Sequence, residues 1–230
     1  MACELDDNVL RIVKWHPSNH GLTCTYSELV ASRLGQLIEA PVVRGTVVYV
    51  DNMLLPPDLM NRVNQQFHVG FTYSLGQNFS EQDYQKIQNT ASLAAAAVQL
   101  AWLQVADQDG HNQFLYQMEK ILPDKTTRKM NHFVIIDQAM ICNSGDWTQV
   151  NLDSTNPSYT LPKHLKSRVR IDDVLRVTDQ LSQIDEDAIR KCLEAAPEEW
   201  HIPREDILKL GDFLVARRNH LHDIMQANFK

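Results

Sequence analysis

Two stretches of this 230-residue chain decide its fold: VADQDGHN, residues 105–112, and HFVIID, residues 132–137. They contain an aspartate, Asp107, an asparagine five residues later, Asn112, and a second aspartate, Asp137, behind a run of apolar residues typical of a strand. Phosphoryl-transfer folds supply a base and two metal ligands in this order. The two stretches therefore predict a site that transfers a phosphoryl group.

The three residues suit this chemistry because phosphoryl transfer needs positioning and charge neutralisation more than covalent help from the protein. Asp107 would orient the acceptor hydroxyl or accept its proton. Asn112 would offer an amide oxygen to Mg²⁺, and Asp137 would supply a charged oxygen, since Mg²⁺ prefers oxygen ligands. An Asp-x₄-Asn pair alone is a weak signal. A carboxylate at the end of an apolar strand is a stronger one, because burying it without a purpose is costly.

Two residues near the N-terminus complete the predicted site. Residues 9–15 are rich in β-branched and apolar side chains and predict a strand with Lys14 near its end. From Tyr26 apolar residues recur at helical spacing until Pro41, which predicts a helix with Glu28 in its first turn. The lysine could reach nucleotide phosphates, and the glutamate could hold the ammonium in an ion pair. The alternatives are a solvated lysine at a strand edge and a glutamate that only complements the helix dipole.

The remaining pattern predicts an α+β chain with two lobes. Residues 1–78 predict a small mixed lobe that holds the lysine strand and the glutamate helix, and residues 79–230 predict a larger, mainly helical lobe. The other expected elements are strands over 42–50, 69–75, 114–116 and 132–136, a buried Ala-rich helix over 92–104, and several helices after residue 171.

Composition and charge argue against several classes of function. The net charge of −7 disfavours tight, sequence-independent binding of nucleic acid, which needs clustered Lys and Arg. The basic residues at 163–170 and Arg217-Arg218 are interpreted as solvated faces. The four cysteines have no CxxC spacing and indicate neither a zinc site nor a disulfide framework. The acidic N-terminus is unlike a signal peptide and no apolar run approaches the roughly 20 residues that span a bilayer, so we expect a cytoplasmic protein without membrane contact.

These motifs resemble those of the HipA-like kinases, in particular the compact members with little beyond the kinase core. The family's lysine strand ends in a Val-Lys-aromatic run, here residues 13–15, and its next helix reads Glu-Leu-Val-Ala-x-Arg-Leu-Gly, here residues 28–35. Its catalytic loop, Asp-Arg-His-x-x-Asn, is matched at both ends by residues 107–112, and its Ile-Asp-His-Gly motif by Ile136-Asp137-Gln138-Ala139. Near the C-terminus, residues 197–200 and 214–218 also resemble segments of the family's last helices. The resemblance therefore covers about residues 9–226.

The resemblance implies a two-lobed, protein-kinase-like fold with a reduced N-terminal lobe. Such a protein would bind ATP and Mg²⁺ in its cleft and phosphorylate serine or threonine on a protein partner. The resemblance assigns catalysis to Asp107, nucleotide binding to Lys14, Glu28, Asn112 and Asp137, and metal binding to the last two of these. The phosphoinositide kinases share the Asp-Arg-His-x-x-Asn motif, so the hydroxyl group of a lipid or of a small molecule remains an alternative acceptor.

Departures from the family pattern favour a second class of function. Kinases cover the phosphates with a hairpin of two strands ahead of the lysine strand, whereas only residues 1–8 precede it here. The covering loop is expected to be missing, or replaced by residues 16–25, whose backbone N–H groups could face an anion. Gln108-Asp109 in place of Arg-His adds negative charge, and Ala139 in place of glycine restricts the backbone. The alternative is a kinase-fold pseudoenzyme that engages a protein or nucleotide without turnover, although the joint presence of all five site residues favours the active kinase.

Overall fold

The chain forms two small antiparallel sheets and a larger group of helices. The computed structural model describes residues 2–4, 6, 10–14, 21–51, 53, 55, 57, 67–72, 76–78, 87, 90–106, 113–121, 125–156 and 159–230. Its strands and helices, in chain order, are β1 Ala2–Glu4, β2 Leu10–Lys14, α1 Gly21–Leu37, β3 Gly45–Tyr49, β4 Phe67–Thr72, β5 Gly76–Asn78, α2 Thr90–Leu103, β6 Gln113–Ile121, β7 Thr127–Ile135, α3 Lys163–Lys166, α4 Ile171–Ser182, α5 Glu186–Leu193 and α6 Arg204–Asn228. This mixed content confirms the predicted α+β class.

The first sheet has four antiparallel strands in the order β1-β2-β4-β3. β2 lies between β1 and β4 in this sheet, and the side chain of Val13 is buried. Lys14 is the last residue of β2 and lies opposite Val69 of β4. The strand predicted over residues 9–15 is therefore confirmed over residues 10–14, with the lysine at its end, and residues 9 and 15 lie outside the described part of the chain.

A short strand, β1, precedes the lysine strand, within the residues 1–8 that were expected to be too few for a two-stranded hairpin. β1 pairs antiparallel with β2 and places Cys3 opposite Arg11. Three residues are enough because β2 already offers a formed edge, and edge strands are often short. One short strand therefore precedes the lysine strand in the described part of the chain, and the loss of the phosphate-covering hairpin stays a prediction. Residues 5 and 7–9, between β1 and β2, lie outside the described part of the chain.

Helix α1 begins at Gly21, five residues before its predicted start at Tyr26. Thr23 Oγ1 and Cys24 Sγ both donate to the carbonyl oxygen of Gly145, each at 3.1 Å. These tertiary contacts hold a first turn that has little helical periodicity of its own, which is how packing overrides local propensity.

The early start of α1 corrects two predictions. Glu28 lies in the second turn rather than the first, so it cannot be explained as a partner of the helix dipole, whose effect is confined to the first turn. Residues 21–25 are helical and do not form the loop expected to replace the phosphate-covering hairpin. The remainder of that predicted loop, residues 16–20, lies outside the described residues.

The second sheet has three strands in the order β5-β6-β7. The predicted pairing of residues 114–116 with 132–136 is confirmed, since Phe114 lies opposite Val134 and Tyr116 opposite His132. Both strands extend further than predicted, to nine residues each. The extension was missed because residues 127–129 are polar and exposed, whereas the prediction followed apolar runs.

The centre of the helical part is α2, whose residues from Leu93 to Leu103 are all buried. The indole nitrogen of Trp102 donates to the carbonyl oxygen of Leu214 in α6 at 2.9 Å. One continuous apolar core joins these helices to α1 and to Val69 of β4. The predicted division into lobes at residues 78 and 79 stays a prediction, and residues 79–86 lie outside the described part.

Gly35 of α1 is expected to tolerate no side chain. A Cβ atom there would lie 2.4 Å from Gln99 Oε1 and 2.8 Å from a methyl group of Val42. Gly35→Ala should therefore lower the free energy of unfolding by about 1–3 kcal/mol, as overpacking does. Chemical denaturation of the purified protein measures this change.

Gly211→Ala in α6 is the matched control. There the nearest atom to a new Cβ is Arg190 Nη1 at 3.0 Å, the movable end of a long side chain. Because alanine favours a helix over glycine by about 1 kcal/mol, this change should be neutral or stabilising. Equal losses at both positions would show that Gly35 is not specially constrained.

Candidate active site

The site is built around the ammonium group of Lys14. It donates a hydrogen bond to Glu28 Oε1 on α1, and a second one of 2.8 Å to Asp137 Oδ1, two residues beyond the end of β7. The predicted ion pair between Lys14 and Glu28 is confirmed. Three of the five residues expected in the site, which lie up to 123 positions apart in the chain, therefore meet at one point.

Asp137 is presented by a strand whose exposure falls along its length. Residues 127–129 of β7 are exposed and residues 133–135 are buried, so the strand enters the core just before the aspartate. Asp137 adopts a left-handed backbone with φ of 57°, and its side chain is half exposed. Ala139, expected to restrict the backbone in place of the glycine of the resembled motif, is not at a positive φ. The positive φ lies at Asp137, a residue type that tolerates it.

Burial and the charge of Lys14 shift the pKa of the Glu28 carboxyl in opposite directions. Its side chain is 4% exposed, and this burial raises its pKa to about 7 despite the neighbouring Lys14 ammonium. Its second oxygen, Oε2, accepts a hydrogen bond from the backbone N–H of Gln138 at 3.3 Å. Burial alone would lower the pKa of Lys14, but Glu28 and Asp137 outweigh it and raise that pKa. The lysine is therefore firmly cationic, whereas the glutamate can gain or lose a proton near neutral pH.

The predicted catalytic loop begins beside the segment that follows Asp137. Asp107 and Asn112 lie outside the described residues, and their roles stay predictions. The residues just before them are fixed: the Ala106 N–H donates to Met140 O at 3.0 Å, and the Asn143 N–H donates to Gln104 O at 2.8 Å. The start of the loop is thus hydrogen-bonded to residues three to six positions after Asp137.

Arg217 of α6 anchors the end of α2 from which this loop departs. Its guanidinium group is fully buried and donates to the carbonyl oxygens of Ala101 and Asn156, both at 3.0 Å. In the amide orientation that satisfies both groups, the Gln104 side-chain oxygen accepts from Nη1 and Nη2 of Arg217 at 2.9 and 3.2 Å. The cation therefore lies at the negative end of the α2 dipole. Burial lowers the pKa of Arg217 to about 10.

The interpretation of Arg217-Arg218 as a solvated face is wrong, since both side chains are buried. Arg218 donates to the carbonyl oxygen of Ile184 and lies 3.7 Å from a carboxylate oxygen of Glu186. Sequence pattern missed them because their partners are mainly backbone carbonyls distant in the chain. The available signal was their position on a helix whose neighbours, Leu214 and Val215, are apolar. The other basic segment agrees with its interpretation, since Lys163, Lys166, Arg168 and Arg170 are exposed.

Removing the Arg217 guanidinium should destabilise the protein strongly. Arg217→Met leaves the carbonyl acceptors of Ala101, Gln104 and Asn156 without their donor, which should lower the free energy of unfolding by about 2–4 kcal/mol. Urea denaturation measures it. The control is Arg176→Met, because Arg176 is more than half exposed and pairs with Asp173 across one helical turn; its effect should stay within about 0.5 kcal/mol. Similar losses for the two variants would contradict the anchoring role.

Over the described ranges, no three His, Cys, Asp or Glu side chains converge as a metal-binding cluster. The predicted magnesium site does not require one, because Mg²⁺ in phosphoryl-transfer sites uses one or two protein oxygens together with water and phosphate. The carboxylate of Asp137 is half exposed and is the kind of oxygen ligand that Mg²⁺ binds. None of the helices in the described part is long and apolar enough to cross a membrane.

Comparison with known proteins shows similarity in structure only. No family model and no curated protein sequence matches the chain. The crystal structure of the Helicobacter pylori proinflammatory kinase CtkA matches over 99% of this chain and 90% of its own, with a TM-score of 0.63 and 12% identity. HipA of Shewanella oneidensis MR-1, in a complex with HipB and operator DNA, matches over 95% of this chain with a TM-score of 0.52 and 11% identity.

A 618-residue N-terminal fragment of LepB from Legionella pneumophila also matches, over 100% of this chain, with a TM-score of 0.53 and 11% identity. The chain spans 60% of the length of the HipA chain and 46% of that of the LepB fragment. Together these similarities show that the chain has a HipA-like kinase fold, as its motifs predict.

Proposed function

We propose that this protein is an ATP-dependent kinase that transfers the γ-phosphate to a serine or threonine hydroxyl of a protein. The observation that carries the proposal is the Lys14 ammonium group, which is hydrogen-bonded to both Glu28 and Asp137. A kinase needs a lysine fixed by a glutamate and placed beside a metal-binding aspartate. A lysine at a solvated strand edge would need neither partner.

Each residue has a defined task in this proposal. Lys14 would bind the α- and β-phosphates of ATP and exchange its contact with Asp137 for one with phosphate. Glu28 would keep the ammonium in place during that exchange. Asp137, released from the lysine, and Asn112 would hold Mg²⁺, which neutralises charge on the phosphates. Asp107 would orient the acceptor hydroxyl and accept its proton.

The acceptor class follows from the family that the motifs resemble. One structural neighbour is described as a proinflammatory kinase, and another, HipA, as part of a toxin–antitoxin system. Phosphorylation of a protein is the corresponding proposal for this chain. The lipid or small-molecule acceptor remains the alternative to be tested beside it.

The test is incubation with γ-labelled ATP and Mg²⁺ in the presence of a serine/threonine peptide library or of phosphoinositide vesicles, with autophosphorylation followed in parallel. Label transfer to peptide or to the protein itself, lost in Lys14→Met and Asp107→Asn, is the expected result. Transfer to lipid alone would replace the protein acceptor by a lipid one. No transfer and no thermal stabilisation by Mg-ATP would refute the kinase proposal.

A nucleotide-binding pseudoenzyme is the second candidate, and Gln108-Asp109 is the observation that favours it. This pair puts a negative charge next to Asp107 where the resembled family has Arg-His, and it would repel a phosphate. The pseudoenzyme would be stabilised by Mg-ATP without transferring label. A ligand at 100 times its dissociation constant adds about 2.7 kcal/mol to the free energy of unfolding, which a thermal shift detects.

A further inference from the structure

Gln99 is a polar residue in a buried apolar helix. From Leu93 to Leu103 it is the one residue of α2 that is not alanine, valine, leucine or tryptophan, and its side chain is fully buried. Its amide nitrogen donates two hydrogen bonds, to Ala31 O on α1 at 2.9 Å and to Gln138 Oε1 at 2.8 Å. One side chain thus connects the helix that carries Glu28 with the residue that follows Asp137.

Gln138 continues this connection to Lys14. Its side chain is buried and accepts the bond from Gln99, while its backbone N–H donates to Glu28 Oε2 at 3.3 Å. Glu28 then accepts from Lys14 through its other oxygen. A continuous series of hydrogen bonds therefore runs from α2 through Gln138 and Glu28 to Lys14.

The amide of Gln99 is poorly suited to a purely structural role. Its Oε1 atom is buried and has no hydrogen-bond partner in the part of the chain that the structure describes. It points at the Cα side of Gly35, where a Cβ would lie only 2.4 Å away. An unsatisfied buried oxygen costs free energy that an apolar side chain of the same shape would avoid. The packing of α1 on α2 alone would thus be better served by leucine or methionine.

We infer that Gln99 is a positioning residue, which holds α1 and the Asp137 segment in the one arrangement where Glu28 engages Lys14. The kinetic consequence of this inference rests on the proposed kinase function, whereas the coupling between Gln99 and Glu28 does not. Removing the amide leaves α1 packed on α2 but releases its alignment with Gln138.

The kinetic experiment compares Gln99→Met with Thr178→Val. Methionine keeps the length of the side chain and removes the donor. Thr178 is a buried polar residue of α4 that donates only to its own helix, at Val174 O, and serves as the matched control. We expect the KM for ATP of Gln99→Met to rise by about 10- to 100-fold, as misplacement of a reacting group does, while that of Thr178→Val stays at the native value. An unchanged KM, or a rise of similar size in Thr178→Val, would overturn the inference.

A second experiment does not depend on activity. The unfolding equilibrium constants of the native protein, Gln99→Met, Glu28→Met and the double variant form a double-mutant cycle. Coupling of at least about threefold is expected, because contacts within one hydrogen-bonded network are not additive. Additive effects would overturn the inference even if the protein proves to be a kinase. Conversely, coupling in a protein that neither binds nor uses ATP would uphold it while the proposed function fails.

Discussion

Asp137→Asn should reduce phosphoryl transfer by about 10²–10³-fold while the protein remains folded. The substitution removes the charged oxygen proposed to hold Mg²⁺ and leaves the size of the side chain unchanged. Asparagine is the right replacement because, like aspartate, it tolerates the left-handed backbone that Asp137 adopts at φ of 57°. Initial rates of label transfer at saturating Mg-ATP, with circular dichroism as a check on folding, measure the effect.

The matched control for this prediction is Asp172→Asn. Asp172 lies in the first turn of α4, is 79% exposed and pairs with Arg170 at 3.6 Å, so the same chemical change there lies outside the site. Its transfer rate should equal that of the native protein. A fully active Asp137→Asn variant would remove Asp137 from the catalytic site and with it the assignment of Lys14.

Glu28→Gln should change the pH dependence of stability more than any other single substitution in the site. Burial raises the pKa of this carboxyl from its ordinary value of 4.5 to about 7 in the folded protein. Because the folded pKa is higher, the folded state binds the proton more tightly than the unfolded state does. This stabilising contribution is fully present below about pH 4.5 and is lost as the pH rises through 7. The difference amounts to roughly 3 kcal/mol.

Glutamine cannot ionise, so the variant keeps at high pH the stabilising contribution that the native protein loses when Glu28 ionises. Between pH 4.5 and pH 8 the free energy of unfolding of Glu28→Gln should therefore rise by about 3 kcal/mol relative to that of the native protein. Its KM for ATP should rise at the same time, because Lys14 has lost a charged partner. Urea denaturation across this pH range measures the first effect. The exposed Glu199, replaced by glutamine, is the control and should give a curve parallel to the native one.

The contrary result is that the native protein and Glu28→Gln differ in free energy of unfolding by the same amount at every pH from 4.5 to 8. That result would show that the buried carboxyl does not change its protonation in this range. The Lys14–Glu28 pair would then be ionised throughout. Loss of ATP binding without the pH effect would still support the role of Glu28 in the site, so the two measurements separate electrostatics from function.

The parts of the site that could be predicted are those for which residue type and order are enough. A lysine at a strand end, a glutamate on the next helix and an aspartate behind an apolar strand are each visible in the sequence, and the structure brings Lys14, Glu28 and Asp137 together. The fold followed from the same order and is confirmed. What could not be predicted are groups whose partners are backbone carbonyls, such as Arg217 with Ala101 and Asn156.

The predicted bounds of α1, β6 and β7 were wrong for a related reason. α1 starts at Gly21 because Thr23 and Cys24 donate to Gly145, a contact across 121 or more positions that no local pattern contains. The nine-residue hairpin strands β6 and β7 were underestimated because they pair through the backbone beyond the apolar runs, and residues 127–129 of β7 are polar. In both cases the structure is set by backbone hydrogen-bonding partners rather than by the distribution of apolar side chains.

The hydrogen bonds of α1 on two sides limit how the first sheet can move against the helices. Toward the first sheet, Ser32 Oγ donates to Val43 O at 2.9 Å and accepts from the Gly45 N–H at 2.7 Å. Toward the helices, Tyr26 Oη donates to the carbonyl oxygen of Leu193 at 2.9 Å. A hinge rotation of sheet against helices would have to break bonds on one of these sides. If the protein binds ATP as proposed, we therefore expect the nucleotide to enter and leave as the Lys14 side chain swings away from Asp137, with the backbone of both parts nearly stationary.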